Sequence, residues 1–349
     1  MSAFPDVLPV ARTPDPRSAP SLRWGVLGTG WISERFVTSL QRHSSQRVVA
    51  VGSRSQASAD SFAQRFGLER AYGTYDALVN DSGVDVVHIA TPHVVHATCA
   101  VLALEAGKHA LVEKPLAATA GEARVIAAAA AAAARFCMEA HWTTFLPKYD
   151  VLRQLLDARV LGQVLAVVAD FGEAFPPQHN VFRPELAGGP MLDLGTYLVS
   201  LVVNVLGPKP EKVQAVSSTL GLGVPAQTAM IMRYGEQQAV LHATILTNTP
   251  STATIAGTDA SLTIDGPFPQ PGGFTLTATA GGRSLRYEEE RTAHDGGLHY
   301  QAAEVARRIS NGELESPLRS LGLSIDTLAV MDEVRRVSQD GLVARAGGR

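Results

Sequence analysis

The chain is poor in the features that assign a protein quickly. It has two cysteines, Cys99 and Cys137, both in apolar segments. That excludes a disulfide framework, and two reduced core thiols are expected. Neither charge sign dominates: 30 Lys and Arg against 33 Asp and Glu leave a net charge of −3, and no basic run exceeds two residues. A nucleic-acid surface is therefore not expected. No cluster of His, Cys and carboxylates stands at ligand spacing, so no metal site is expected. No apolar run is read as a membrane span, the Ala127–Ala134 tract being interrupted by Arg124 and Arg135. The N-terminus has no continuous apolar region of the kind a secretory signal needs. The expectation is a soluble, cytoplasmic protein with neither membrane nor nucleic-acid partners.

What is present is length and apolar material. With 349 residues, 46% of them hydrophobic and 18% charged, the chain exceeds one ordinary core, and two domains are expected. Residues 1–20 carry five prolines (Pro5, Pro9, Pro14, Pro16 and Pro20) and no periodicity. They read as an extended or disordered arm, either a plain tail or a segment laid on a partner subunit or over a cofactor.

Order begins at Leu22–Leu27, an apolar run leading into Gly28-Thr29-Gly30-Trp31-Ile32-Ser33 and a helix signal over Glu34–Leu40. The glycines alone suit an ordinary turn, but strand, glycine turn and helix in that order are the context of a dinucleotide fingerprint. Gly28 permits the tight turn, and Gly30 lets backbone N–H groups approach a pyrophosphate at the positive helix end. Ser33 stands where a third glycine is usual. The next strand, Arg47–Gly52, ends in Ser53-Arg54-Ser55 rather than in the carboxylate that accepts from an NAD ribose. A hydroxyl and a guanidinium suit a 2′-phosphate, so NADP(H) is favoured; a solvated turn arginine is the plainer alternative.

Further buried strands are expected at Val84–Ala90, closed by Thr91-Pro92-His93, at His109–Val112, running into Glu113-Lys114-Pro115, and at Arg135–Ala140. A helix over His96–Ala106 ends at Gly107, and another covers 119–134. Alternating strands and helices with short connections mean a parallel, doubly wound sheet. Ligands bind such sheets at strand carboxyl ends, where Gly28, Ser53, Thr91 and Lys114 all fall. His88, alone on a strand, reads as a core residue, whereas His96 opens a helix beside the cofactor edge.

Beyond a helix over Pro147–Ala158 come strands at 164–171, 212–218, 227–233, 238–246, 251–257, 261–265 and 274–280, with few helices between them. This pattern predicts an α+β second domain on a mainly antiparallel sheet, one face covered by helices and the other open for a subunit interface. Helices over 297–311 and 322–338 close the chain.

The chain resembles the glucose–fructose oxidoreductase / inositol dehydrogenase / rhizopine catabolism family. The carrying residues are Gly28–Ile32, Ser53-Arg54, Ala90–His93, His96, Glu113-Lys114-Pro115, Glu139-Ala140-His141-Trp142 and Gly188–Tyr197. The resemblance covers about residues 22–340. Its Asp-x-x-x-Tyr ending is similar to that of dimeric dihydrodiol dehydrogenases, NADP-dependent xylose dehydrogenases and glucose–fructose oxidoreductase, where inositol dehydrogenase-like members carry histidine. It implies an N-terminal Rossmann domain at 21–141 and a substrate and oligomerisation domain at 142–318. A C-terminal helix at 319–349 would return toward the Rossmann domain, and the open sheet would form a homodimer or homotetramer. It also implies a cis Lys114–Pro115 bond that sets the lysine beside the nicotinamide, and cofactor contacts from Thr29, Trp31, Ile32, Thr91, Pro92, His93, His96, Glu113, Lys114 and Trp142. Two departures stand out: Thr144 where relatives with Trp-x-Arg-Phe have arginine, and His93 where asparagine is more usual.

The expected reaction is reversible hydride transfer between nicotinamide C4 and a carbinol carbon of a sugar, polyol or cyclic diol. Tyr197 is the general acid/base. A free phenol titrates near roughly 10, and the Lys114 cation would favour the phenolate while polarising the substrate oxygen. Asp193, at i−4 from Tyr197, shares its helix face and can orient Lys114 or a substrate hydroxyl. Without the lysine and the fingerprint, Asp193 and Tyr197 would read as a helix cap and a core tyrosine. His179, Asn180 and Arg183 are the substrate-contact candidates, Arg183 equally a solvated loop charge. Two other readings stand beside this one: an enzyme that retains NADP under the arm and alternates two sugars, and a non-catalytic NADP(H)-sensing or partner-binding protein.

Overall fold

Strands such as Trp24-Gly25-Val26-Leu27 and Val86-Val87-His88-Ile89 are buried residue after residue, as a central parallel strand requires when both faces are covered. The computed structural model describes residues 4–219, 221, 223–292 and 294–346. One unit comprises Thr13–Leu146 and Thr292–Ile325, the other Met1–Arg12, Pro147–Arg291 and Asp326–Arg349.

The parallel-sheet unit holds β1 (Arg23–Leu27), α1 (Trp31–His43), β2 (Arg47–Gly52), α2 (Gln56–Phe66), β3 (Arg70–Tyr72), α3 (Tyr75–Val79), β4 (Val86–Ile89), α4 (His96–Glu105), β5 (His109–Glu113), α5 (Ala120–Ala133) and β6 (Cys137–Ala140). The strand order is β3-β2-β1-β4-β5-β6, all parallel, with the reversal of direction at β1. Such a switch point opens a crevice at the strand carboxyl ends. Ser55 and Thr119 cap α2 and α5 by accepting from Ser58 N and Glu122 N. The elements β3, α2 and α3 were not among the expected ones; the three residues of β3 are too few to carry a periodic signal. Cys99 and Cys137 are free and buried, and burial pushes the Cys137 thiol up to about 12.

The other unit is built on an eight-stranded sheet. After α6 (Pro147–Asp157) come β7 (Val164–Gly172), α7 (Thr196–Leu206), β8 (Lys212–Ser218), β9 (Gln227–Tyr234), β10 (Gln237–Thr244), β11 (Ala253–Gly257), β12 (Ala260–Ile264), β13 (Phe274–Ala278) and β14 (Ser284–Tyr287). Their order is β14-β13-β12-β11-β7-β10-β9-β8, antiparallel throughout except for the parallel pair β7 and β10. One face is core: Val167, Ala169, Met230, Met232, Ala239, Leu241, Ile255 and Leu262 are buried. On the other face Val168, Val240 and Ile231 lie in register across three adjacent strands. These three, with Leu165 and Val216, are 40–62% exposed.

The closing helices depart from expectation. The helix α8 (Leu298–Ser310) belongs to the parallel-sheet unit, not to a second domain running to 318. Its Ala303 and Ala306 pack on Ala19 and Leu22, and His299 pairs with Ser39 of α1. The last helix, α9 (Leu321–Ala346), counts from Asp326 onward with the sheet unit rather than with the first. The boundary expected at 141/142 falls at Leu146/Pro147. The arm is also more ordered than its prolines suggest. Arg12 pairs with Asp150 at 2.9 Å, and Arg283 bonds Asp6 and covers Phe4. Further along, Pro16–Ser18 form a 3₁₀ turn capped by Asp15, and Arg307 donates to the Asp15 carbonyl.

The stretch Pro184–Leu206 is long and apolar enough to cross a membrane, contrary to the reading of the sequence, but 78% of its apolar 18-residue window is buried inside the protein. It joins a 3₁₀ turn, a π turn and α7, whose apolar residues are core.

His299 is a buried histidine whose pKa burial, helped by His43 and Arg17, lowers to about 4. The unfolded ring titrates near roughly 6.5, so between these values the unfolded chain binds the extra proton. Stability should be full above pH 6.5 and fall as pH drops toward 4, by at most about 3 kcal/mol from this residue. Urea unfolding followed across that range checks it, and His299→Gln should flatten the dependence.

Candidate active site

The turn after β1 places Gly28 at φ +104, with a virtual Cβ 2.4 Å from the Ala90 carbonyl oxygen, so only glycine fits there. A Cβ at Gly30 would meet nothing within 4 Å, and the first turn of α1 has no side-chain cap. Open space beside uncapped N–H groups at a positive helix end is what a pyrophosphate needs. Thr29 and Ile32 are half-buried and Trp31 is exposed, with the Arg35 guanidinium over its ring. Ser33, in place of a third glycine, is fully buried.

At the end of β2, Ser53 is buried and Arg54 exposed. Among the described residues no carboxylate pairs with Arg54. Burial raises the pKa of Tyr75 and Cys99, and the Arg54 charge opposes the rise in both. A 2′-phosphate would meet an unneutralised guanidinium there.

The ends of β4 and β5 carry the other expected residues. Thr91 is buried; Pro92 and His93 follow, His93 opening a 3₁₀ turn. The Lys114–Pro115 peptide is cis, and the Lys114 side chain is half-buried. Four strand ends of one sheet therefore gather Gly28, Ser53, Thr91 and Lys114 on a common edge. Glu113 and His96 were expected to touch cofactor, but the structure gives them inward partners. Glu113 faces His88 Nε2 at 3.0 Å through Oε1 and accepts from Lys114 N through Oε2. His96 is fully buried, its Nδ1 2.9 Å from the Pro115 carbonyl oxygen and its Nε2 2.8 Å from that of Thr91.

Behind this edge lies a charged group that the reading of the sequence passed over. Glu139, buried on β6, accepts from Leu116 N through Oε1 and from the Arg319 guanidinium and Ser324 hydroxyl through Oε2. Burial pushes its carboxyl up, but Arg319 and Ser324 outweigh that and hold it below the usual range. A glutamate inside a buried four-residue strand was the available signal. Next to it, burial and then Arg319 lower the His141 pKa to about 3, so the ring is neutral; its Nδ1 is 3.1 Å from Thr144 Oγ1. The absent arginine at 144 thus leaves a histidine–threonine pair. Trp142 is buried with His294 5.0 Å from its ring, and Trp31 stands 4.9 Å from the same imidazole.

The sheet unit holds the remaining candidates. Asp193 sits in a π-helical turn, Met191–Gly195, and Tyr197 is the second residue of α7, which follows directly. A π turn in place of the expected α start is a feature found often at functional sites. Tyr197 is buried, its ring 5.8 Å from that of Phe171. His179, Asn180 and Arg183 are all exposed in the preceding segment. His179 stacks on Phe175 at 4.5 Å and accepts from Val181 N, so part of its role is to shape that segment. Among the described residues no group of three or more His, Cys, Asp or Glu could hold a metal.

Two family models match the chain: an oxidoreductase family with an NAD-binding Rossmann fold over residues 22–141, and a GFO/IDH/MocA C-terminal domain over 149–263. Trans-1,2-dihydrobenzene-1,2-diol dehydrogenase of Xenopus tropicalis is 33% identical over 321 residues, 89% of this chain and 96% of that one. The Homo sapiens protein of the same name is 33% identical over 322 residues, 90% and 96% of the two chains. Among solved structures, KijD10, a 3-ketoreductase from Actinomadura kijaniata in complex with NADP and TDP-benzene, superposes with a TM-score of 0.80 at 26% identity, over 91% of this chain and 98% of that one. A levoglucosan dehydrogenase, in complex with NADH and levoglucosan, gives 0.83 at 20% identity, over 92% and 98%, a likeness of fold.

Proposed function

Because the chain belongs to the GFO/IDH/MocA family of oxidoreductases, we propose that it uses NADP(H) to interconvert a carbinol and a carbonyl, with Tyr197 as general acid/base and Lys114 as its cationic partner. It is a dehydrogenase acting on CH–OH groups of a sugar or diol, on a fold that binds NAD(P). The observation that carries the finer reading is the common edge: an open glycine turn, an unneutralised Arg54 and Lys114 at strand ends of the one sheet.

When bound, the nicotinamide supplies or accepts the hydride. Gly28–Ile32 would hold the pyrophosphate, Ser53 and Arg54 the 2′-phosphate, and Thr91, Pro92, His93 and Trp142 would border the rest. Tyr197 Oη gives a proton to the substrate oxygen in reduction and takes it in oxidation. Lys114 stabilises negative charge on either oxygen, a service a point cation performs well. Asp193 orients the lysine or a substrate hydroxyl. A cyclic diol is the favoured substrate within the class, since the 33%-identical relatives are named for one and aromatic Phe171, Phe175 and Phe182 neighbour the substrate candidates in sequence. The stripe of Val168, Val240 and Ile231 on an open sheet face is the surface a second subunit would cover.

Three measurements test these statements. Assayed with trans-dihydrodiols, sugars and inositols, Tyr197→Phe should lose about 10²- to 10⁴-fold in kcat, with Lys114→Met similarly impaired; unchanged turnover overturns the mechanism. Arg54→Ala should weaken NADP(H) by about 10- to 100-fold and leave NAD(H) nearly untouched; equal effects on both remove the 2′-phosphate assignment. Ile231→Arg should turn an oligomer into monomers in analytical ultracentrifugation, and an unaltered sedimentation profile excludes this face.

A further inference from the structure

The His96 ring nitrogens face two backbone carbonyl oxygens, of Pro115 at 2.9 Å and of Thr91 at 2.8 Å. A carbonyl only accepts, and a neutral imidazole has one N–H to donate. Both bonds form together only when both nitrogens carry protons. We propose that His96 is a positioning residue, held as a doubly hydrogen-bonded imidazolium, that ties the end of β4 to the Lys114–Pro115 turn and so fixes where the Lys114 ammonium is presented. This rests on the role given above to Lys114.

The surroundings provide for the charge. Glu113 at the end of β5 and Glu139 on β6 both act on His96 favourably, and the His93 ring lies 5.5 Å away on the preceding turn. Arg319 and Lys114 are the other ionisable groups of this region, and Arg319 is bound to Glu139. His88 Nε2 lies 3.0 Å from Glu113 Oε1, and no hydrogen-bond partner meets its Nδ1 among the described residues. Desolvation lowers the His96 pKa, against the opposing pull of the two carbonyls, Glu113 and Glu139. A neutral ring would have to set a lone pair against a carbonyl oxygen under 3 Å away. Protonation of both nitrogens removes that repulsion and gives each carbonyl a donor.

The clamp acts on three sides of the lysine backbone. His96 holds the Pro115 carbonyl, Glu139 the Leu116 N–H and Glu113 the Lys114 N–H. Of these, only His96 reaches across to Thr91 on the neighbouring strand end. Its loss would leave the lysine in place but less exactly aimed.

The test is ¹⁵N NMR of the full chain labelled at histidine, without substrate or coenzyme. The expected result is one histidine with both ring nitrogens protonated from pH 6 to 8, absent from His96→Gln. That histidine also shows two ring protons in slow exchange with water, so its assignment does not need the variant to fold. A neutral tautomer for the fully buried ring overturns the charge. For the positioning role, His96→Gln should lower kcat by about tenfold to a hundredfold with coenzyme affinity unchanged. An unchanged kcat, or a loss confined to coenzyme affinity, overturns it. The NMR result stands whatever the assay shows, and Lys114→Met reports separately on the lysine itself.

Discussion

The carboxylate of Glu139 is the constraint on which the reactive edge depends. It is 1% exposed, and all its strong bonds go to groups from other parts of the chain: Arg319 and Ser324 on one oxygen, the Leu116 amide on the other. Breaking such a buried pair by removing one partner costs about 3–5 kcal/mol, because the other charge is left stranded. The pair therefore does little to raise net stability and much to specify geometry. Without it, the Leu116 N–H after Pro115 loses its acceptor and the segment around Arg319 loses its anchor.

Polar accounting extends outward from this carboxylate. Glu113 takes the His88 ring on one side and the Lys114 amide on the other. The His88 ring is itself stacked on Phe36 at 3.8 Å, so a helix facing the sheet also sets the direction of the Glu113 carboxylate. Gly28, Ser53, Thr91 and Lys114 lie at the strand ends of the one sheet. Glu113 and His96 also hold the architecture beneath it, through His88 and the Lys114 amide and through the Pro115 and Thr91 carbonyls.

The fold was largely legible because it is written in patterns of period and punctuation. The strands at Arg23–Leu27, Arg47–Gly52 and Gln227–Tyr234 match apolar runs bounded by turn residues, and Gly28 marks a turn where only glycine fits. Short elements such as β3 and β14 left no such trace. The domain assignment of α8 was illegible for another reason: its apolar stripe states that it packs, not on what, and the answer is Ser39, Ala19 and Leu22. The π turn at Met191–Gly195 was hidden likewise, since its sequence suits an α-helix start. At the site, types and spacing pointed to Lys114, Asp193 and Tyr197. Nothing local to Glu139 announced a partner 180 residues away.

That separation has a consequence for how the chain comes to be folded. Strands β1 to β6 leave the ribosome long before Arg319, and α8, which covers Ser39 and Ala19, also arrives late. During synthesis the early sheet must wait with a buried-type carboxylate unpaired and an apolar surface uncovered. In the other unit β7 waits as well, for β10 and β11 some seventy to ninety residues further on. The parallel-sheet unit needs Thr292–Ile325, which follow the whole of Pro147–Arg291, so it cannot close until most of the other unit has been made.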